Sequence, residues 1–274
     1  MKIMKAALAA LLVCGCARPD PAAVSGRMVA MFEKMERTES YTMHVKVTED
    51  DARYEIFYET WKDKDEVYSY IDSPWHRIVS RFDTSHAKTV SGKWSFDVFE
   101  VQSIDQTEQA RFRYLGNVYE YVRFPFLFDA ESNVDGLKDF FDWTIEKDNT
   151  YRATLQKKRI PELNEGIVQE WHDLGMDLKT LDLKQCDYTF HLNGQGELVK
   201  ADIVQDYTFS KKDSEPESHR VETEIGFAYD QGNEKVREQT KALLGQDLQI
   251  GDNVPWDGEG IPQPAGEFPL PKNS

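Results

Sequence analysis

Apolar and polar residues alternate along the second half of the chain with a period of two, which is typical of half-buried β-strands. The clearest example is a hairpin around the turn Asn193-Gly194-Gln195-Gly196. The positions on one face of its first arm are Cys186, Tyr188, Phe190 and Leu192, and those on its second arm are Val199, Ala201, Ile203, Gln205, Tyr207 and Phe209. A polar loop follows at residues 211–218, and the alternation then resumes through residues 221–229.

The same period appears near the start of the chain. Met43, Val45 and Val47 alternate with polar residues, and the pair Asp50-Asp51 predicts a turn. Three further short strands are predicted within residues 54–61, 67–71 and 78–79. The stretch "KTVSGKWSFDVF" predicts a hairpin that turns at Ser91-Gly92, with Trp94, Phe96 and Val98 on one face.

Helical spacing is found in two regions. An N-terminal stripe predicts one amphipathic helix over residues 22–37; its members are Val24, Met28, Met31, Phe32 and Met35. The middle of the chain predicts helices within residues 106–114, 134–141 and 160–183, with short strands near residues 143–146 and 151–156. Consecutive hairpins with a helix laid over one face indicate an α+β fold. Period-two alternation indicates an antiparallel sheet with one packed face and one wet face.

The first fifteen residues have the character of a secretory signal, with Lys2 and Lys5 ahead of a short apolar run. Val13-Cys14-Gly15-Cys16 resembles the lipobox of bacterial lipoproteins. The resemblance implies cleavage before Cys16, diacylglycerol (palmitate-type chains) on its thiol, and an N-terminal membrane anchor. The alternative is an ordinary signal peptide that is cut near Ala17. An anchored protein would lie in the bacterial cell envelope, at the outer membrane in a two-membrane cell, because no aspartate follows Cys16.

The order of these elements resembles the LolA/LolB-like and LppX-like lipoprotein domains. Two stretches carry the resemblance, "MVAMFEKMERTESYTMHVKV" and "FHLNGQGELVKADI". It implies a strongly curved antiparallel sheet, or half-barrel, packed against the N-terminal amphipathic helix, with a helical insertion in the middle. The expected organisation is a signal peptide at 1–15, a lipidated tether at 16–21, the domain at 22–232 with its insert at about 103–183, and a C-terminal helix with an extended Pro-Gly-rich tail at 233–274.

Charge and motifs limit the possible functions. The net charge is −16, and removing the signal, which contains two lysines and no acid, brings it to −18. Such an acidic chain is a poor candidate for binding nucleic acid or anionic lipid headgroups. The chain contains no nucleophile elbow, zinc-protease motif or phosphate loop, and its six histidines are scattered. We therefore expect no enzyme activity, no metal and no cofactor. Cys186, the one cysteine after Cys16, is expected to pack as an apolar side chain.

The resemblance implies a lipid or other hydrophobic ligand in the hollow of the curved sheet. Candidate contacts are the alternating apolar and aromatic strand residues Tyr54, Ile56, Tyr58, Trp94, Phe96 and Phe190. The same residue types would equally form a solid core under the helix. Two alternatives stay open at this point. One is a structural or interaction lipoprotein of the envelope with no small ligand and an unknown protein partner. The other is an enzyme whose site is assembled from distant residues.

Overall fold

A computed structural model describes residues 40–72, 77–83, 88–95, 98–105, 140–146, 149–173, 178–211, 214–229 and 231–255, together with residues 24, 26–28, 30, 31, 34 and 38. The strands in these residues are β1 (Tyr41–Glu49), β2 (Ala52–Asp63), β3 (Glu66–Asp72), β4 (Arg77–Asp83), β5 (Lys88–Ser95), β6 (Val98–Asp105), β7 (Phe141–Ile145), β8 (Thr150–Leu155), β9 (Leu178–Leu192), β10 (Leu198–Lys211), β11 (Glu217–Tyr229) and β12 (Asn253–Pro255). No helix in the described part of the chain is long and apolar enough to span a bilayer.

All twelve strands belong to one curved antiparallel sheet with the order β12-β6-β5-β4-β3-β2-β1-β11-β10-β9-β8-β7. Neighbours in the sheet are mostly neighbours along the chain. The main exception is the pairing of β1 with β11, which joins the two halves of the sheet from Tyr41↔Tyr229 to Glu49↔Val221. The sheet is open: in the described residues, β7 pairs with β8 alone and β12 pairs with β6 alone. The prediction of a curved antiparallel sheet is therefore confirmed.

Several predicted turns and hairpins are confirmed. β9 and β10 form the long hairpin around residues 193–196, where Gly196 has a φ of 75°. Asp50 has a φ of 51° in the β1–β2 turn, a left-handed conformation that Asp tolerates better than most residues do. The short strands expected near residues 143–146 and 151–156 are β7 and β8.

The hairpin predicted at Ser91-Gly92 is wrong. β5 runs without a turn through both residues, and the chain reverses only between β5 and β6. The register with β6 shifts at Ser91/Gly92, where β6 contains one extra residue. A Cβ at Gly92 would collide with the backbone oxygen of Glu100 and the ring of Phe99. The glycine is thus required by close approach of the neighbouring strand.

Two α-helices have defined bounds, α1 (Ile160–Asp173) and α2 (Glu234–Leu244), and a 3-10 turn, Lys157–Arg159, precedes α1. The helix predicted within residues 160–183 is confirmed as α1, which ends at Asp173, and residues from Leu178 onward belong to β9. In β9, Leu181 pairs with Phe209 and Leu183 pairs with Tyr207. Packing against these cross-strand partners favours a strand over a helix at these residues. The helices predicted at 106–114 and, apart from Phe140 and Phe141, at 134–141 lie outside the described residues.

One face of the sheet, which we call the first face, carries the larger core. It includes Val45, Ile56, Tyr188 and Phe190, and α1 covers it with Leu163 and Ile167. Val24, Met28 and Met31 have helical backbone and are 0–1% exposed in the same core. The remaining members of the predicted stripe, Phe32 and Met35, lie outside the described residues.

Polar contacts tie this N-terminal segment to the sheet. Arg27 donates a hydrogen bond from Nη1 to the hydroxyl of Tyr151 at 2.7 Å. Lys34 Nζ lies 2.9 Å from the Glu197 carboxylate in the β9–β10 turn. These contacts link Arg27 to β8 and Lys34 to the β9–β10 turn.

The opposite, second face has its own core over β2 to β6. Trp61, Tyr70, Val79 and Phe99 are buried there together with Val236, Leu243 and Leu244 of α2. β2 is thus buried on both faces, with six consecutive buried residues from Ile56 to Trp61. The expectation of one uniformly wet face does not hold in this half of the sheet.

A buried ion pair attaches α2 to the second face. Glu59 is 0% exposed, and Arg237 donates from Nε to its Oε1 at 2.5 Å. The backbone N–H of Asn233, the residue that caps α2, donates to the other carboxylate oxygen at 3.1 Å. Burial raises the pKa of Glu59, and the hydrogen bonds from Arg237 and Asn233 only partly oppose this. The ionised carboxylate therefore depends on its partners in α2.

We expect Arg237→Met to lower the free energy of unfolding by about 3 kcal/mol at pH 7, because the Glu59 carboxylate stays buried without a cation. The loss should shrink as the pH falls into the range in which Glu59 takes up a proton. Since the pKa of Glu59 is raised in the folded state, the folded protein binds that proton more tightly than the unfolded chain does, and stability rises as the pH falls. Urea unfolding followed by tryptophan fluorescence at several pH values measures both effects.

Lys241→Met is the matched control on the same helix. It removes a cation whose contact with Asp63, at 2.7 Å, is solvent-exposed on both sides, so only a small change is expected. An equal loss in both variants, or a loss for Arg237→Met that does not change with pH, would contradict this role of the buried pair.

Candidate functional site

Three of the ligand contacts predicted from the sequence lie deep in the first-face core. Ile56, Tyr58 and Phe190 are 4%, 1% and 0% exposed. The strand registers place Phe190 and Ile56 in one row across the sheet, in the order Phe190, Ala201, Ile225, Val45, Ile56. The structure thus brings these residues together as core packing, and their ligand role stays a prediction.

The other three predicted contacts are placed differently. Tyr54 is half-buried at the margin of the first-face core. Trp94 pairs with Arg77 and Phe99, and the strand registers align these residues with Phe57 across the sheet. Trp94 is therefore not aligned with Tyr58, although the predicted site requires that alignment. Phe96 and the predicted lipidation site Cys16 lie outside the described residues.

Around Tyr54, the first face changes from fully buried to half-buried side chains. We call this region the aromatic patch; it consists of Tyr54, Leu181, Tyr207, Phe209, His219 and Val221. Three of its rings form a row, with the His219 ring 5.6 Å from that of Tyr207 and 5.1 Å from that of Phe209. Four of its members, Tyr54, Leu181, Tyr207 and Val221, also pack against the first-face core. The patch therefore adjoins the first-face core directly.

The patch exists because three strands extend beyond their neighbours. β9, β10 and β11 continue past the β1–β2 turn, and their registers align Leu181 with Phe209 and Tyr207 with His219. The register between β9 and β10 shifts by one residue between Asp206 and Tyr207. Because of this shift, Leu183 and Cys186 both lie on the first face although they are three residues apart. Asn164 of α1 accepts a hydrogen bond from the backbone N–H of Leu183 at 3.1 Å.

The β1–β2 turn is fastened to the patch by one carboxylate. Asp50 accepts a hydrogen bond from the backbone N–H of Arg220 at 2.9 Å, and its other oxygen lies 3.0 Å from Nδ1 of His219. The Asp50 N–H in turn donates to the Arg220 carbonyl at 2.9 Å. The hydrogen bond from Arg220, assisted by His219, lowers the pKa of Asp50. The ionised carboxylate thus joins two chain segments that lie 170 residues apart.

Carboxylates surround the histidine of the patch. Besides Asp50, Glu49 lies 3.7 Å from Nδ1 of His219, and Glu217 lies 3.7 Å from Nε2. Burial raises the pKa of Tyr207 to about 12, and the nearby charges of Glu49 and Asp50 add to the effect. Burial and the charge of Glu49 likewise raise the pKa of Tyr54. The apolar surface therefore has an acidic rim along one side.

Two other potentially reactive side chains, Cys186 and His44, are packed within the sheet. Cys186 is 0% exposed, and burial raises the pKa of its thiol to about 12, so the thiol is protonated and unreactive at neutral pH. His44 is stacked on Phe57 at 4.3 Å and contacts the Glu55 carboxylate at 2.7 Å. Burial lowers its pKa. In the described part of the chain, no group of three or more His, Cys, Asp or Glu side chains could hold a metal ion.

The sequence analysis did not single out His219, Asp50 or Phe209 as site residues. Tyr207 and Phe209 fit the strand alternation, but the strand pattern does not tell whether an apolar side chain lies under a helix or beyond its end. Asp50 and His219 are separated by 169 residues, and only the pairing of β1 with β11 brings them together.

Comparisons with known proteins do not assign a family. No family model matches the chain, and no curated protein matches its sequence. A search of solved structures finds the crystal structure of Rv2717c from M. tuberculosis, which aligns with 72% of this chain and 96% of its own. The sequence identity is 6% and the TM-score is 0.20. A similarity at this level does not establish a shared fold or function.

We expect Asp50→Gly to speed the hydrogen exchange of the Arg220 amide, because glycine keeps the left-handed turn conformation while it removes the carboxylate acceptor. In the unaltered protein the same amide should lose protection as the pH falls below the ordinary aspartate range. A lowered folded-state pKa means that stability is present above that range and is lost as the carboxylate takes up a proton. NMR hydrogen exchange, corrected for intrinsic rates, measures this.

Asp51→Gly is the control, since Asp51 is exposed in the same turn. In the Asp51→Gly variant, the Arg220 amide hydrogen should exchange at the same rate as in the unaltered protein. If both variants speed the exchange equally, the backbone of the turn and not the Asp50 carboxylate holds β11.

Proposed function

We propose that the protein is a membrane-anchored bacterial lipoprotein of the cell envelope that acts by binding a hydrophobic ligand. The anchor rests on the signal-like N-terminus and the lipobox-like Val13-Cys14-Gly15-Cys16. Two or three acyl chains on Cys16 would make the attachment stable, since a single chain binds a membrane only weakly. In a two-membrane cell, Ala17 after the anchor favours the outer membrane.

The aromatic patch is the observation that carries the ligand-binding part of the proposal. Its half-buried rings adjoin the fully buried core, so an apolar molecule could lie across them and cover surface that is otherwise exposed to water. Of the contacts predicted from the sequence, Tyr54 belongs to this patch. Ile56, Tyr58 and Phe190 would then support the site from beneath.

A LolA- or LppX-like half-barrel is part of this proposal. The curved antiparallel sheet, the buried helical residues Val24, Met28 and Met31, and the hairpin of β9 and β10 support it. A second candidate function is an envelope interaction lipoprotein without a small ligand. The complete burial of Tyr58 and Phe190 favours this second candidate, because it shows that the predicted contacts pack against the protein itself.

For the anchor, we expect Cys16→Ser to abolish acylation and to release the processed protein from the membrane pellet, because the thiol that carries the lipid is lost. Cys14→Ser is the control and should remain acylated and membrane-bound. Mass spectrometry of the mature N-terminus, together with membrane fractionation, measures both properties. Acylation that survives Cys16→Ser but not Cys14→Ser would move the anchor to Cys14, and an unmodified N-terminus would contradict the anchor.

For the ligand, residues 17–274 should be purified without detergent, extracted with organic solvent and analysed by mass spectrometry. We expect a stoichiometric lipid or other apolar compound, and we expect Phe209→Ala to lower its recovery several-fold while the protein stays folded. A protein that carries nothing and does not bind a fluorescent fatty acid would leave the interaction lipoprotein as the better account.

A further inference from the structure

We infer that the aromatic patch selects amphiphiles whose polar end carries a positive charge, such as an amine or a quaternary ammonium group. This inference rests on the proposed binding function and names the chemical class of its ligand. The apolar part of the amphiphile would lie over the rings of the patch, and its cationic end would lie at the acidic rim formed by Glu49, Asp50 and Glu217.

The rim provides an excess of negative charge next to the rings. Three carboxylates approach the nitrogens of His219 within 3.0–3.7 Å. A protonated His219 can neutralise one of them, so net negative charge remains in either protonation state. The side chains of Glu49, Asp50 and Glu217 are 38%, 47% and 64% exposed, so they are accessible to a ligand.

Arg220, the basic residue beside the rim, is paired with carboxylates outside it. Arg220 pairs with Asp206 at 3.2 Å and with Glu222 at 2.9 Å, residues that lie on the second face. Lys211 follows Phe209 two residues later on β10, with its Nζ 5.8 Å from the centre of the Phe209 ring. That contact shows that the face of Phe209 is oriented so that an ammonium group can approach it.

The chemistry of the patch fits an organic cation better than an anion. Aromatic rings attract cations through the negative charge at their faces, most strongly when water is excluded. An anionic headgroup at the same place would meet Glu49, Asp50 and Glu217 at short range and would be repelled. The net charge of −16 for the whole chain acts in the same direction, but over a longer range that salt screens.

The test compares three probes with the same apolar tail: dodecyltrimethylammonium, dodecyl sulfate and uncharged dodecyl maltoside. Their binding to residues 17–274, the whole mature chain apart from the lipidated cysteine, is measured by titration calorimetry below micelle-forming concentrations and at physiological salt. We expect the trimethylammonium probe to bind about tenfold more tightly than the maltoside, and the sulfate probe to bind most weakly.

Two variants separate the rim from the overall charge. Glu49→Gln/Glu217→Gln should remove most of the preference for the cationic probe while maltoside binding stays unchanged. Glu238→Gln/Asp247→Asn changes the net charge equally at exposed positions in and just beyond α2, and it should preserve the preference. Phe209→Ala should weaken the binding of all three probes.

The outcomes distinguish this inference from the proposed function. Failure of all three probes to bind would contradict hydrophobic ligand binding itself. Equal binding of the three probes would support the proposed function and overturn the cationic selectivity. An equal loss of preference in both double variants would also overturn it, because the selectivity would then come from the charge of the whole chain.

Discussion

The structure depends on β2, a strand that has to be covered on both sides. Six consecutive residues of β2 are buried, so its side chains alternate between two separate cores. Tyr58 packs on the first face with the N-terminal helical residues, and Trp61 packs on the second face under α2. A single sheet can satisfy both demands only if different elements cover its two faces. Leu163 and Ile167 of α1, with the buried residues Val24, Met28 and Met31, lie in the first-face core, and α2 covers the second face.

The two covers differ in how polar groups fasten them. On the second face, burial of the Glu59 carboxylate is tolerated because Arg237 and the start of α2 supply its donors. On the first face, Arg27 and Lys34 make polar contacts with Tyr151 and Glu197, and Met28 and Met31 are buried in the apolar core. The second-face cover is therefore the more sensitive to pH and to single charge changes.

The candidate site lies where the first-face core gives way to half-buried side chains. Tyr54, Tyr207 and Val221 pack against the core yet keep part of their surface exposed, and Phe209 and His219 continue the patch along β10 and β11. Asp50 holds the β1–β2 turn against β11 and at the same time places carboxylates beside the rings. Asp50 thus both holds the β1–β2 turn in place and contributes negative charge next to the patch.

The sequence by itself determined the local features: the strands with period-two alternation, the turns at Asp50-Asp51 and residues 193–196, and the antiparallel class of the sheet. These follow from short-range rules, because the faces of a strand and the conformation of a turn depend on adjacent residues. The lipobox-like Cys16 and the ligand remain predictions. Only the tertiary structure decided that Gly92 lies at a register shift against β6, that residues from 178 onward form a strand, that both faces of β2 are buried, and that Asp50 contacts His219. Each of these depends on which strand or helix lies alongside, and alternation within one strand does not identify its neighbours in space.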